Sequence, residues 1–417
     1  MTPEPPISMA PPVLAVRPAP PVPQRAVIVL PSSGAFDGRA HRIASGLAVR
    51  GHEVTVLARR GPGLPLDAVD PSGYRIRRIG RTVPPGLRTP FRQVSQLRAI
   101  GSQRAAAIAA VAAAPGTPDV IHAMGLLGLP VGIALRRHVG GKLVYDARDL
   151  YPDAANLARL PAPVRRLAGA VERRWARSAD RVVTVNDALA DILHDRLGCE
   201  RPLVVLNASP MGPSGSPRPR RLHDRLGLPA ETPIVLYQGG FSPGRGIPEL
   251  IDAMAEVPGA HLVLLGYGRL ERDLRAQAAR PDLAGRVSVL PAVPPGELLE
   301  WVASADVVAI PIQEDTLNHR LATPNKLFEA LAAGVPVVAS DLPGMAPIVR
   351  ELDAGVLVDP SRPASIAGGI RAVLESPPEA REVTRARIRA AAAGRYDWAT
   401  QFDRLLAEYA RLTGRPW

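Results

Sequence analysis

The sequence predicts an α/β protein made of two doubly wound halves, each a parallel sheet covered by helices, with a cleft between them. Three observations carry this expectation. Short apolar runs rich in Val, Ile and Leu alternate with amphipathic helical stretches, the pattern of strands buried on both faces. The alternation stops across residues 207–232 and then restarts. At 417 residues the chain is too long for one ordinary core and suits two domains.

Residues 1–24 are rich in proline and lack a charged segment followed by an apolar core, so they read as a disordered tail and not a signal peptide. The first half spans 25–207. Its strands are expected at 26–30, 54–58, 120–122, 142–145, 181–185 and 203–206, with helices at 39–50, 105–114, 129–138 and 187–197. Pro31-Ser32-Ser33-Gly34 is a turn after the first strand. A linker rich in Pro, Gly and Ser occupies 208–232. The second half spans 233–393, with strands at 234–237, 261–265, 287–290, 307–311, 335–339 and 356–358. Its helices fall at 248–256, 297–304 and 324–333. In the last segment, 394–417, a helix at about 398–412 carries Trp398, Phe402, Leu405, Leu406 and Tyr409 on one face. That face needs a surface outside the second sheet. Sites in such folds lie at the carboxyl ends of the strands, here in the crevice between halves.

Composition narrows the partners. The net charge is +12, from 51 basic and 39 acidic residues, which favours anionic partners. Aromatics make up only 4% and the arginines are spread along the chain, so nucleic acid is not expected. Arg88, Arg92, Arg98, Arg165 and Arg166 suggest peripheral contact with an anionic membrane face or a lipid-phosphate acceptor; ordinary solvated arginine is the equal alternative. One cysteine, Cys199, excludes an intrachain disulfide and fits a reducing, cytoplasmic location. No Cys/His spacing suggests a metal, and none is expected. No apolar run approaches the length of a membrane span.

The most informative stretch is Thr323-Pro324-Asn325-Lys326-Leu327-Phe328-Glu329-Ala330. It reads as a helix start, with Thr323 as N-cap, Pro324 at the first helical position and Gly334 past the end. Lys326 falls in the first turn, where the helix dipole disfavours a cation. A lysine there makes sense if a phosphate shares the site with it and the backbone N–H groups. The chain has only two lysines, Lys142 and Lys326, and uses arginine elsewhere. The alternative is a solvated Lys326–Glu329 pair worth a few tenths of a kcal/mol.

From residue 26 to 412 the chain resembles the GT-B glycosyltransferases, and within them glycosyltransferase family four. The first-half motifs are Asp37-Gly38-Arg39, Asp146-Ala147-Arg148-Asp149 and Glu172-Arg173-Arg174-Trp175. Those of the second half are Tyr237-Gln238-Gly239-Gly240, Gly244-Arg245-Gly246, Leu265-Gly266-Tyr267-Gly268 and Pro324-Asn325-Lys326-Leu327-Phe328-Glu329. Each is weak alone; their order and spacing make the match.

The resemblance implies two Rossmann-like domains, a last helix crossing back to the first, and a retaining, metal-independent transferase. The donor would be a UDP- or GDP-linked sugar. The acceptor would be a hydroxyl on a glycan, a lipid-linked or a small molecule, in polysaccharide or glycolipid synthesis. It assigns Arg245 and Lys326 to the leaving diphosphate, where fixed cations lower the barrier. Glu329 matches the residue that accepts from the ribose diol. Gly34, Gly239, Gly240 and Asn325 fall where substrate is approached closely. Val293 and Pro294 lie where the base is held by backbone, and the Gly266-Tyr267-Gly268 stretch reads as a turn. Three departures stand out. Leu321 replaces a sugar-contacting glutamate, leaving Asn318, His319 or backbone near Thr323 for that contact. Gly240 replaces an arginine. Arg148 replaces a histidine near the sugar; it can bind phosphate but cannot act as a base. His122 ends a strand and is a candidate to line the crevice, with a structural or solvent-facing role as the alternative. A sugar-nucleotide epimerase and a non-catalytic nucleotide-sugar-binding protein remain as alternatives.

Overall fold

In the computed structural model the described residues are 22–34, 37–81, 91–114, 116–154, 157–211, 218–283 and 285–417, without the side chains of 91–94, 96, 97 and 378. Most of the expected N-terminal tail, Arg88, the Arg92 side chain and linker residues 212–217 lie outside them.

Two sheets form. The first contains β1 (Arg25–Val29), β2 (Glu53–Arg59), β3 (Asp67–Val69), β4 (Arg75–Ile79), β5 (Val120–Met124), β6 (Lys142–Asp146), β7 (Arg181–Thr184) and β8 (Leu203–Val204), in the order β3-β4-β2-β1-β5-β6-β7-β8. Only β3 runs antiparallel, against β4. The second contains β9 (Ile234–Gly240), β10 (His261–Tyr267), β11 (Val287–Pro291), β12 (Val307–Ile310), β13 (Val337–Ser340) and β14 (Gly355–Val358), in the order β11-β10-β9-β12-β13-β14, all parallel. All five β5 residues are buried, as are the first five of β9, because helices cover both faces. β1 lies between β2 and β5, and β9 between β10 and β12. At each of these points the winding reverses and the strand-end loops part to leave a crevice.

The pair β3–β4 escapes a search for apolar runs. β4 reads Arg-Ile-Arg-Arg-Ile, and only its Arg78 is buried. Arg78 donates from Nε to the Ser33 carbonyl (3.1 Å) and from Nη1 to that of Pro65 (2.9 Å), which anchors the turn after β1.

The helix Trp398–Thr413 packs on the first half. Trp398, Phe402, Leu405, Leu406 and Tyr409 share a core with Ala26, Ile28, Ile43 and Leu47. Each such burial stabilises by roughly 1.5–3 kcal/mol. The fit is close, since a Cβ on Gly46 would lie 2.7 Å from the Phe402 ring. Among the described residues no helix is long and apolar enough to cross a membrane.

This helix also explains His122, which does not line the crevice. His122 is fully buried; its Nδ1 faces the Tyr409 hydroxyl at 2.6 Å and its Nε2 the Asp146 Oδ2 at 3.1 Å. Arg39 Nε reaches the same oxygen at 2.7 Å. His122 lies in the middle of β5, not at its end, and the returning helix covers it, so the imidazole serves the core. Burial pushes the Asp146 carboxyl up, but Arg39 and His122 outweigh it and hold it well below the usual carboxylate range. Asp146→Ala leaves Arg39 and His122 buried without their carboxylate and is expected to cost about 3–5 kcal/mol. Chemical denaturation measures this; an unchanged midpoint would show that the network contributes nothing.

Candidate active site

The crevice between the sheets is a cavity of about 440 Å³ lined from both halves. The first half supplies Gly38, Arg148, Asp149 and Asn207; the second supplies Gly239, Gly240, Arg245, Asn325, Lys326 and Glu329.

The helix Asn325–Ala333 points its N-terminus into this cavity. Its N-cap is Pro324, not Thr323, and no side chain caps it. The Thr323 hydroxyl instead accepts from Asn186 Nδ2 of the first half at 3.2 Å. Lys326 and Glu329 are not a solvated pair. They are 7% and 8% exposed, and no ion pair joins them among the described residues. Lys326 Nζ lies 3.4 Å from the centre of the Tyr237 ring and has no hydrogen-bond partner. Burial first, and Arg245 second, hold its pKa well below the ordinary 10.5 against the pull of Glu329. Burial raises the Glu329 carboxyl, opposed by Arg42, Gln238 and Lys326. Gln238 Nε2 donates to Glu329 Oε2 at 3.3 Å and so orients it.

Arg245 is presented by a loop that needs two glycines. Gly244 and Gly246 have φ of +76° and +68°, and a Cβ on Gly246 would meet the Pro311 carbonyl oxygen at 1.8 Å. Arg245 makes no described ion pair and lines the cavity. Gly239, at φ +121°, holds the end of β9 beside Lys326; a Cβ there would lie 3.8 Å from Nζ. Gly240 has open space.

On the facing wall Arg148 Nη1 donates to Asp37 Oδ1 and Oδ2 at 3.1 and 3.0 Å. Burial lowers the guanidinium's pKa, but Asp37 outweighs it and the net shift is upward. This pair and the buried Arg39–Asp146 pair cross-link the start of one helix to the end of β6 twice. Gly34, Asp37, Arg148 and Asn325 border a side cavity of about 280 Å³ with Ser32, Ser33 and Tyr267.

The departures from the family pattern acquire structural meanings. Leu321 packs into the first half's core, and its carbonyl accepts from Asn186 Nδ2 at 2.9 Å. Asn318 accepts from Leu150 N (2.8 Å) and donates to Asp149 Oδ1 (2.9 Å), also across the halves. His319 Nδ1 faces Asp315 Oδ1. Asn318 and Leu321 thus tie the second half to the first, whereas His319 is held within its own half.

Sequence reasoning missed several lining residues. Tyr237 and Gln238 stand in the sequence only as part of the motif before Gly239 and Gly240, with no role of their own. Tyr267, read as a turn residue, stands 50% exposed between the two cavities. Arg42 lines neither cavity and gave no signal, yet its charge reaches Glu329 from the first half, and burial brings its pKa down to about 10. Among the described residues no His, Cys, Asp or Glu cluster is placed to hold a metal ion.

Comparison with known proteins finds relatives for both halves of the chain. Residues 220–392 match the family described as glycosyl transferases group 1, and residues 37–208 match a glycosyl transferase 4-like domain. The chain is 32% identical over 316 residues to the D-inositol 3-phosphate glycosyltransferase of Acidothermus cellulolyticus, covering 71% of this chain and 67% of the relative. It is 30% identical over 311 residues to that of Segniliparus rotundus, with the same coverage. Among solved structures, sucrose-phosphate synthase from Thermosynechococcus elongatus superposes with a TM-score of 0.72 at 21% identity, covering 94% of this chain and 99% of that one. Anabaena Alr3699/HepE in complex with UDP-glucose gives 0.67 at 20% identity, covering 93% and 99%.

Proposed function

Because the chain belongs to the group 1 glycosyl transferases, we propose that its cleft takes a nucleoside-diphosphate sugar and transfers the sugar, with retained configuration, to a hydroxyl acceptor. The observation that carries this reading is the buried ammonium of Lys326, unpartnered at an uncapped helix N-terminus. A buried cation without a partner is destabilising unless a ligand supplies the counter-charge. Backbone N–H groups, an ammonium and the nearby Arg245 guanidinium together fit a diphosphate.

In this reading the bond from the anomeric carbon to the β-phosphate oxygen breaks, and its electron pair goes to the diphosphate. Lys326, Arg245 and the helix N-terminus stabilise that growing charge. The acceptor oxygen bonds to the anomeric carbon on the same face, and its proton passes to a leaving phosphate oxygen. No side-chain base is required, which suits Arg148, a guanidinium that stays protonated. Glu329, aligned by Gln238, accepts from the ribose hydroxyls. The two cations neutralise the diphosphate without a divalent ion. The relatives are named for inositol phosphate, and a solved neighbour holds UDP-glucose. The Asp37–Arg148 wall suits a polyol acceptor carrying phosphate. An epimerase would need carboxylate and imidazole around the sugar, where this chain has Leu321 and Arg148.

Two expectations follow at the phosphate. Nucleotide binding draws a proton onto Lys326, because a bound anion raises a pKa that burial holds down. Calorimetry in buffers of different ionisation enthalpy measures the uptake at alkaline pH; no uptake would separate the anion from Lys326. Secondly, Gly240→Arg places a third cation in open space beside Gly239. Nucleoside-diphosphate affinity should rise about tenfold, and unchanged or weaker affinity would put the diphosphate elsewhere.

A further inference from the structure

Away from the cleft, a second cavity of about 650 Å³ opens on the first half. Arg104, Arg137, Arg173, Arg174 and Arg177 line it, with the partly buried ring of Trp175. All five arginines are exposed, and none makes a described ion pair or side-chain hydrogen bond. No carboxylate lines this cavity. A chain rich in arginine will leave some unpaired, but the other surface cavities mix signs. One holds Arg218, Arg381 and Arg385 with Asp306, Glu379 and Glu382, and another Arg165, Arg166 and Arg196 with Asp153 and Glu172.

Four of these residues lie in or just after the helix Ala162–Ala176. Its Glu172 turns inward and accepts from the Tyr145 hydroxyl at 2.7 Å, so it does not offset the outer charge. The outward face carries Leu167, 66% exposed, in line with Ala170 and Arg174 at i+3 and i+7. Val164 is 44% exposed one turn earlier. A cationic helix face with bare aliphatic side chains, flanked by an indole, matches a bilayer interface, where guanidinium groups meet lipid phosphates and apolar side chains enter the acyl boundary.

We propose that this face docks the protein on an anionic lipid bilayer, with headgroup phosphates seated in the Arg104–Arg137–Arg173–Arg174–Arg177 cavity. The same helix packs on the turn Tyr151–Asp153, which follows the cleft residues Arg148 and Asp149. The surface differs from the arginines that the sequence alone brought forward: Arg165 pairs with Asp153, and Arg98 lies outside this cavity.

The test is co-flotation of the full chain with vesicles of phosphatidylcholine alone and of phosphatidylcholine mixed with phosphatidylglycerol. Binding only to the mixed vesicles, weakening as salt rises, is expected. The triple variant Arg173→Glu, Arg174→Glu, Arg177→Glu should lose at least about a hundredfold in vesicle affinity. Leu167→Asp should weaken binding without changing net charge in the cavity. Thermal unfolding and nucleotide affinity should stay as in the wild type, because these side chains are exposed and outside the cleft. Absence of binding to anionic vesicles, or binding unaffected by the triple reversal, overturns the proposal. So does a thermal shift with inorganic tripolyphosphate that depends on the arginines when vesicles do not bind, which would make the cavity a site for a soluble polyanion.

Discussion

Lys326→Met lowers turnover by about 10²–10³-fold and leaves the protein at least as stable as the wild type. The magnitude is that of removing one preorganised donor from a site of developing negative charge. The stability follows from burial. The ammonium has only the Tyr237 ring against it, and methionine fills similar space with a thioether that packs well on aromatics. Protonation links the two effects. Lys326 has a folded pKa below its unfolded one, so the unfolded chain binds more protons and stability rises with pH between the depressed value and the ordinary 10.5. The methionine variant lacks that rise. Denaturation across this window, together with steady-state kinetics, checks both halves. Near-wild-type turnover would remove Lys326 from the diphosphate, and a large loss of stability would make it structural.

Glu329→Ala should weaken nucleotide affinity by about tenfold to a hundredfold, the loss of charged hydrogen bonds worth roughly 1.5–3 kcal/mol. The carboxyl is buried and its pKa raised, so it protonates at a higher pH than an ordinary glutamate. Affinity for a nucleoside diphosphate then falls on the acid side as Glu329 gains a proton and on the alkaline side as Lys326 loses one. Glu329→Gln should flatten the acid limb alone, and Lys326→Met the alkaline limb alone. Titration calorimetry over pH resolves the limbs. An unchanged affinity in Glu329→Ala would take the ribose away from this residue.

The two-sheet architecture was legible because every central strand is buried on both faces and so spells a continuous apolar run. β3 and β4 were not legible because an edge strand such as Arg-Ile-Arg-Arg-Ile is held by its neighbour's register and by Arg78, which apolar periodicity does not record. The helix carrying Lys326 and Glu329 was placed to within a residue. Its cap was misassigned because Thr323 is drawn to Asn186, 137 positions earlier in the chain. His122 misled for the same reason. A histidine expected at a strand end is a reasonable site residue, but the strand runs on to Met124 and a helix nearly three hundred positions later covers the ring with Tyr409. Tyr267 lines the cleft, and Arg42 acts on Glu329, only through the juxtaposition of halves. Leu321 shows the converse. Its departure from the family glutamate was visible in sequence, but its place in the opposite half's core was not.

The measurement that bears most directly on the cleft is titration of the wild-type protein and Lys326→Met with UDP, GDP, ADP and dTDP, each with EDTA present. Selective binding of one diphosphate by the wild type, sharply weakened in the variant, is the expected result. Binding of none, or equal binding by both proteins, would contradict a diphosphate held by the buried lysine at the helix N-terminus.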